Sequence, residues 1–298
     1  MSVADPTRRY LIAGAGGMLG GALQRVLTER GVPFTAPAEG DFDITDPAGI
    51  DRVVATFATD CLTTPERCVL VNAAAFTNVE RAEDDALIAY RVNAHGARML
   101  AIAARNAGLT FVHVSTDFVF DGAKDGAYVE SDPVHPLSVY GASKLAGELA
   151  VTEADPDAII ARTAWVFGEN GVNFPVKILE LAASRPKLSV VIDEIGSPTY
   201  THDLATAIVG LVEARARGLF HLAGSGACSR FELAAEVLRL AGLDTELEPV
   251  TSDAFPTKAA RPANSVLDCS KAAALGVTMP EWHDSLARFM AGWRAQTR

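Results

Sequence analysis

Tyr10-Leu11-Ile12-Ala13-Gly14-Ala15-Gly16-Gly17-Met18-Leu19-Gly20 is the stretch that decides the fold. Its apolar start reads as a short buried strand. The strand runs into glycines spaced Gly14-x-x-Gly17-x-x-Gly20, then into the helical pattern Ala22-Leu23 to Val26-Leu27. Strand, glycine turn and helix form the context in which a glycine motif implies a dinucleotide site. Gly14 permits the tight turn. Gly17 lets the backbone approach a pyrophosphate at the positive end of the helix, and Gly20 lets helix and strand pack closely. A turn that holds no ligand is the competing explanation.

Outward from this stretch, β-rich runs alternate with helical patterns. Strands are expected at Tyr10–Ala13, Pro33–Thr35, Val69–Asn72, Phe111–Ser115 and Ala158–Arg162. Helices are expected at Leu19–Arg30, Ala48–Ala58, Ala86–Ala107, Ser138–Glu153 and Pro175–Ser184. This rhythm implies an α/β fold of the Rossmann type, a doubly wound parallel sheet covered on both faces. Ligands bind such sheets beyond the carboxyl ends of the strands. The second half is less regular: Gly218–Ala223 reads as another strand, Leu204–Ala216 and Phe231–Leu240 as helices, and Trp282–Thr297 as a final helix. We therefore expect a dinucleotide-binding domain at 1–167 and a smaller, mainly substrate-binding lobe at 168–298, with segments returning to the main sheet.

Composition bounds the function. With 49% of its 298 residues hydrophobic, the chain can bury a large core in one domain or two closely packed ones. A net charge of −11 with no basic patch argues against a nucleic-acid partner. No stretch reaches membrane-spanning length, and Met1 to Arg9 has no apolar signal core. Cys61, Cys68, Cys228 and Cys269 show no metal spacing, and the expectation is free thiols in a reducing cytoplasm, with a Cys61–Cys68 bridge as the alternative. The six histidines form no ligand cluster.

The second informative motif is Tyr140-Gly141-Ala142-Ser143-Lys144. Four residues apart on a helix, the phenol and the ammonium lie one turn apart on the same face. An ammonium there should lower the Tyr pKa from its usual value of about 10. Such a phenol exchanges a proton with a carbonyl or alcohol oxygen near neutral pH. An exposed helical pair is the bland alternative.

Together these segments resemble the extended short-chain dehydrogenase/reductase superfamily and, within it, the dTDP-4-dehydrorhamnose reductase family. The likeness covers nearly the whole chain. It is carried by Gly14–Gly20, Asp43–Asp46, Val71–Glu80, Ser115–Gly122, Tyr140–Lys144, Arg162–Gly168, Gly196–Thr199 and Arg261–Ser265, followed by Leu267-Asp268 and Lys271. The resemblance implies NADPH or NADH as cofactor, a nucleotide-sugar substrate and the reduction of a C4 ketone, and it is compatible with a homodimer. Gly17, Met18 and Leu19 would line the pyrophosphate. Asp43 and Ile44 would lie against the adenine, and Ala75, Phe76 and Thr77 would flank the cofactor. Tyr140 would donate the proton, with Lys144 binding the nicotinamide ribose. Thr116 would hydrogen-bond the substrate carbonyl, Asp117 and Trp165 would contact the sugar nucleotide, and Asn93 would order a water near Lys144. The bland alternatives are a helix cap for Asp43, a strand end for Thr116 and a core position for Trp165.

Three departures refine these expectations. Related dehydratases follow the Thr with two groups able to remove water, whereas Thr116-Asp117 is followed by Phe118, which cannot carry a proton. Related reductases often place an Arg near the adenosine ribose, but Ala36-Pro37-Ala38-Glu39-Gly40 holds no cation, so NADH should serve at least as well as NADPH. Some relatives dimerise through magnesium held partly by a Glu of the first helix; Gly21-Ala22-Leu23-Gln24 has no acid, so no metal is expected there. Other classes remain open: reductases of other 4-keto sugars, nucleotide-sugar epimerases, and a non-catalytic regulatory subunit of methionine adenosyltransferase.

Overall fold

Arg9–Ala13 forms β1, and its last four residues are buried, as a continuous apolar run requires in a sheet covered on both faces. The computed structural model describes residues 8–61 and 67–296. Further strands are β2 (Phe34–Thr35), β3 (Cys68–Asn72), β4 (Thr110–Thr116) and β5 (Ile159–Thr163). A sixth strand, Gly218–His221, comes from beyond residue 167 and lies at the edge beside β5. All pairs are parallel, in the order Gly218–His221, β5, β4, β3, β1, β2. The chain therefore reverses direction across the sheet between β1 and β3, which opens a crevice at their carboxyl ends.

Strand periodicity distributes the core. Tyr10 and Ile12 of β1 face one apolar cluster, with Leu23 and Leu27 of α1 (Met18–Glu29). Leu11 and Ala13 face the opposite cluster, with Ile50 and Val54 of α2 (Pro47–Thr59). Asp46 caps α2 by accepting from the Ala48 amide at 3.2 Å, with Pro47 in the first turn. A third cluster, including Phe167, Tyr200, Val237 and Phe289, is built from residues beyond 160.

The single helix expected at Ala86–Ala107 is three pieces. After α3 (Val79–Asp84) come α4 (Ala86–Tyr90), a π-helical turn (Arg91–Gly96) and α5 (Ala97–Asn106). The break has two local causes. Gly96 passes so close to Ile44 that a Cβ there would sit 2.7 Å from the Ile44 carbonyl oxygen. The extra residue of the turn accompanies an inward-facing Asn93, which is buried. The helix carrying the Tyr-Lys pair, α6 (Val139–Ala154), starts at Ser138, whose hydroxyl accepts from the Gly141 amide at 3.2 Å.

The free-thiol expectation fails for one pair. Cys61, just after α2, and Cys68, which opens β3, form a disulfide with their Cα atoms 6.2 Å apart. Cys228 and Cys269 are free. Thiol counting in denaturant without reductant should therefore find two reactive groups, rising to four after reduction; four without reductant would contradict the bridge. Residues 1–7 of the Met1–Arg9 stretch and Thr297 of the expected final helix lie outside the described residues, and that helix is described as Trp282–Gln296. Among the described residues no helix is long and apolar enough to cross a membrane.

Candidate active site

The glycine turn lies at the crevice. Gly14 has φ +78°, and a Cβ on it would stand 2.5 Å from the Ala74 amide nitrogen in the loop after β3. Two strand ends thus approach backbone to backbone, which only glycine permits. Gly17 is the N-cap of α1, and no side chain caps the first amides of the helix. Gly16 has no heavy atom within 4 Å of its Cβ position, so the rim is open. Uncapped amides, a helix start and open glycine form an anion cradle, and the fit to a dinucleotide pyrophosphate is good. Met18 and Leu19 are partly buried in the first turn of α1. Gln24 closes the back of the turn, donating to the carbonyls of Ala15 at 2.8 Å and Gly20 at 3.2 Å.

Asp43 is exposed, and its carboxylate accepts from the Thr45 amide at 2.7 Å, while Ile44 beside it is buried. Asp46, not Asp43, caps the following helix. Ala75, Phe76 and Thr77 form the loop after β3. Both backbone groups of Phe76 are held by Asn93: its Oδ1 accepts from the Phe76 amide at 2.8 Å, and its Nδ2 donates to the Phe76 carbonyl at 3.1 Å. The same Nδ2 donates to the Ser143 hydroxyl at 2.9 Å. Asn93 therefore fastens the Ala75–Thr77 loop to α6.

Thr116 ends β4, and its hydroxyl donates to Asp117 Oδ1 at 2.9 Å and accepts from the Phe118 amide at 3.3 Å. Phe118 meets the Tyr140 ring edge-on, with centroids 5.5 Å apart. A Cβ at Gly141 would stand 2.2 Å from the Phe118 carbonyl oxygen, so the start of α6 packs tightly on the turn after β4. Thr116, Asp117, Tyr140 and Lys144 are thus drawn together by the β4–α6 contact.

One electrostatic expectation is corrected. Burial pushes Tyr140 up to about 12, helped by the Asp117 charge and opposed by hydrogen bonding with Thr116; Lys144 does not lower it. The reason is geometric: Lys144 Nζ donates to the Val114 carbonyl at 2.6 Å. Burial pushes Lys144 down to about 8, against the opposing charge of Glu148. At neutral pH the phenol is therefore protonated and the lysine mostly charged, the states a ketone reductase needs in its acid and its cation. Burial also raises Asp117 to about 6, while the Ser265 and Thr116 hydroxyls and the Arg230 charge pull it back.

Trp165 has φ +45°, an unusual conformation for a bulky residue. Its ring is bedded on Gly196, where a Cβ would lie 2.2 Å from Trp165 Cε2. The Arg230 guanidinium stacks over the ring at 3.4 Å and is held by Glu194 at 3.4 Å. Trp165 packs against the apolar clusters around both Phe167 and Phe120, yet it is only partly buried. Arg230 and Ser265 escaped sequence reasoning. Arg230 sits in the first turn of an ordinary capped helix (Arg230–Ala241), and Ser265 lies in a loop with no periodic signal. Glu194 also lines a cavity of about 500 Å³, with Asp193, Ser252, Phe255 and Arg261 among others. Among the described residues no group of three His, Cys, Asp or Glu side chains could hold a metal.

The family model for the RmlD substrate binding domain matches residues 8–294. The chain is 39% identical to dTDP-4-dehydrorhamnose reductase of Mycobacterium tuberculosis, over 97% of this chain and 94% of that one. It is 40% identical to dTDP-4-keto-6-deoxy-D-glucose reductase of Streptomyces niveus, over 88% of each. The crystal structure of dTDP-4-dehydrorhamnose reductase from Bacillus anthracis in complex with NADP superposes with a TM-score of 0.90 at 35% identity, covering 96% of this chain and 99% of that one.

Proposed function

Since the chain belongs to the dTDP-4-dehydrorhamnose reductase family, we propose that it reduces the C4 ketone of a dTDP-4-keto-6-deoxyhexose, dTDP-4-dehydro-L-rhamnose to dTDP-L-rhamnose. The observation that carries this reading is the packing of Tyr140 and the start of α6 on the Thr116–Phe118 turn, at the same carboxyl edge of the parallel sheet as the uncapped glycine cradle after β1. A reduced nicotinamide dinucleotide, when bound, supplies the hydride. The amides of Gly17, Met18 and Leu19 would hold its pyrophosphate, with Gly14 and Gly20 shaping the turn. Asp43 and Ile44 would border the adenine. Ala75, Phe76 and Thr77 would line the cleft on a loop that Asn93 keeps rigid. Lys144 would bind the nicotinamide ribose.

The chain's own chemistry is acid catalysis with positioning. The hydroxyls of Thr116 and Tyr140 would both reach the C4 oxygen. Tyr140 gives up its proton as negative charge grows there, so that charge is never left on oxygen in a dry site. The raised pKa keeps the proton on the phenol until the carbonyl oxygen becomes the stronger base. Asp117 would accept a sugar hydroxyl, and the partly exposed Trp165 ring, held by Gly196 and Arg230, would offer its free edge to the sugar. Phe118, turned edge-on to Tyr140, leaves the site without the second acid that dehydration needs. A cytoplasmic location agrees with two nucleotide ligands.

Steady-state NAD(P)H oxidation tests this reading. Turnover is expected with the freshly generated 4-keto-L-sugar nucleotide. No oxidation with any 4-keto-hexose nucleotide, together with co-purification with a synthetase, would favour a binding role. The likeness to a reductase of dTDP-4-keto-6-deoxy-D-glucose supports a second reading, in which the substrate is that sugar; the relative kcat/KM for the two sugars decides between them. The absence of a cation in Ala36–Gly40 supports acceptance of NADH. We expect kcat/KM with NADH to equal or exceed that with NADPH, and a large NADPH preference would refute this.

A further inference from the structure

Behind the catalytic face lies a polar cluster that the reaction as described does not use. Glu148 stands one turn beyond Lys144 on α6 and is buried. Its Oε1 accepts from the Ser115 hydroxyl at 2.5 Å and from Arg162 Nε at 2.9 Å, and its Oε2 accepts from Arg162 Nη2 at 2.7 Å. Arg162 is equally buried, pairs with Ser115 in the β4–β5 register, and lies over the Phe120 ring at 5.0 Å. A buried ion pair is weak evidence of a stabilising role, because desolvation offsets most of the attraction. Its location is more informative. Ser115 immediately precedes Thr116, and Lys144 reaches the carbonyl of Val114 on the same strand. Two side chains of α6 therefore grip consecutive residues of β4, just before the Thr that meets Tyr140.

We propose that Glu148 is a positioning residue for the reduction, which holds the Thr116 strand against α6 through Ser115 and supplies the counter-charge to Lys144. The inference rests on the reductase reading above. Other groups around Lys144 do not supply that charge. From β4, His113 is kept neutral by its own burial. From β5, Arg162 is a cation that Glu148 already pairs. In the turn after β4, Asp117 bonds Thr116. In the π-turn, Asn93 is committed to Phe76 and Ser143, while Arg91 and His95 are exposed. From α3, Glu83 accepts from the Val139 amide at the start of the helix. On α6 itself, Tyr140 is neutral. Glu148 alone opposes the effect of burial on Lys144.

The test is Glu148→Gln, read in two ways. In the ligand-free protein, NMR of ¹³C-labelled lysine, assigned with Lys144→Arg, should show Lys144 titrating near 8 in the wild type. In E148Q the titration should fall by about one pH unit. The alkaline limb of kcat/KM for keto-sugar reduction should move with it, since Lys144 loses its charge as pH rises through its pKa. Ser115→Ala, which keeps the carboxylate, should lower kcat and leave the limb in place. If E148Q fails to fold with Arg162 unpaired, the charge-free double variant E148Q/R162Q should show a downward shift that is smaller, because the Arg162 cation is lost with the carboxylate. An unchanged Lys144 titration and limb, with only lower thermal stability, would overturn the proposal. A wild-type enzyme inactive on every keto-sugar would sink the reductase reading instead, and the ligand-free titration would still decide the Lys144 counter-charge.

Discussion

Tyr140→Phe is expected to lower kcat for ketone reduction by about 10²- to 10⁴-fold, the usual contribution of a positioned general acid. KM for the nucleotide sugar and the affinity for NAD(P)H should change little, because the ring and its edge contact with Phe118 remain. Thermal stability should also hold, since the ring packing remains and Thr116 keeps its bonds to Asp117 and the Phe118 amide. This pattern, kcat reduced with binding and folding intact, separates a proton donor from a packing residue. A variant that turns over at the wild-type rate, or one that loses cofactor binding and stability together, would contradict the role.

The second large effect separates two glycines of one turn. A Cβ at Gly20 would stand 2.2 Å from the Gly14 carbonyl oxygen and 2.7 Å from the Ala15 Cα, both backbone that cannot swing away. Gly20→Ala should therefore cost about 1–3 kcal/mol of stability, as overpacking does, and should deform the cradle enough to abolish detectable NAD(P)H binding. Gly16→Ala meets nothing within 4 Å. It should melt at the wild-type temperature while weakening cofactor affinity, because its methyl group projects into the open rim. Thermal melts paired with nucleotide-fluorescence titrations check both. Equal behaviour of the two variants would show that the turn is only structural.

Much of this was legible in the chain itself, and the reasons are local. The β1–Gly14–α1 transition announces itself because apolar run, glycine spacing and helical period change within eleven residues. Tyr140 and Lys144 announce their shared face through the helical repeat. What a sequence cannot carry is the direction of a side chain once a strand lies behind it. Lys144 turns to the Val114 carbonyl, so the expected effect on the phenol gives way to burial. Asn93 looks like a polar interruption in an apolar helix, but its partners on Phe76 lie seventeen residues away and the π-turn that aims it has no residue signature. Arg230 becomes part of the site only through stacking on Trp165, a contact across the fold that neither neighbourhood foreshadows. The Cys61–Cys68 bridge depends on where a helix ends and a strand begins, and these are the boundaries that pattern reading places least well.

The most direct measurement is a single incubation of the wild-type enzyme with reduced nicotinamide dinucleotide deuterated at the transferable C4 position and the freshly generated dTDP-4-keto-6-deoxy-L-hexose, with the product read by NMR. Deuterium at C4 of the hexose, in a product of rhamno configuration, is the predicted result. A sugar recovered with its ketone intact and no label at C4 would contradict the account.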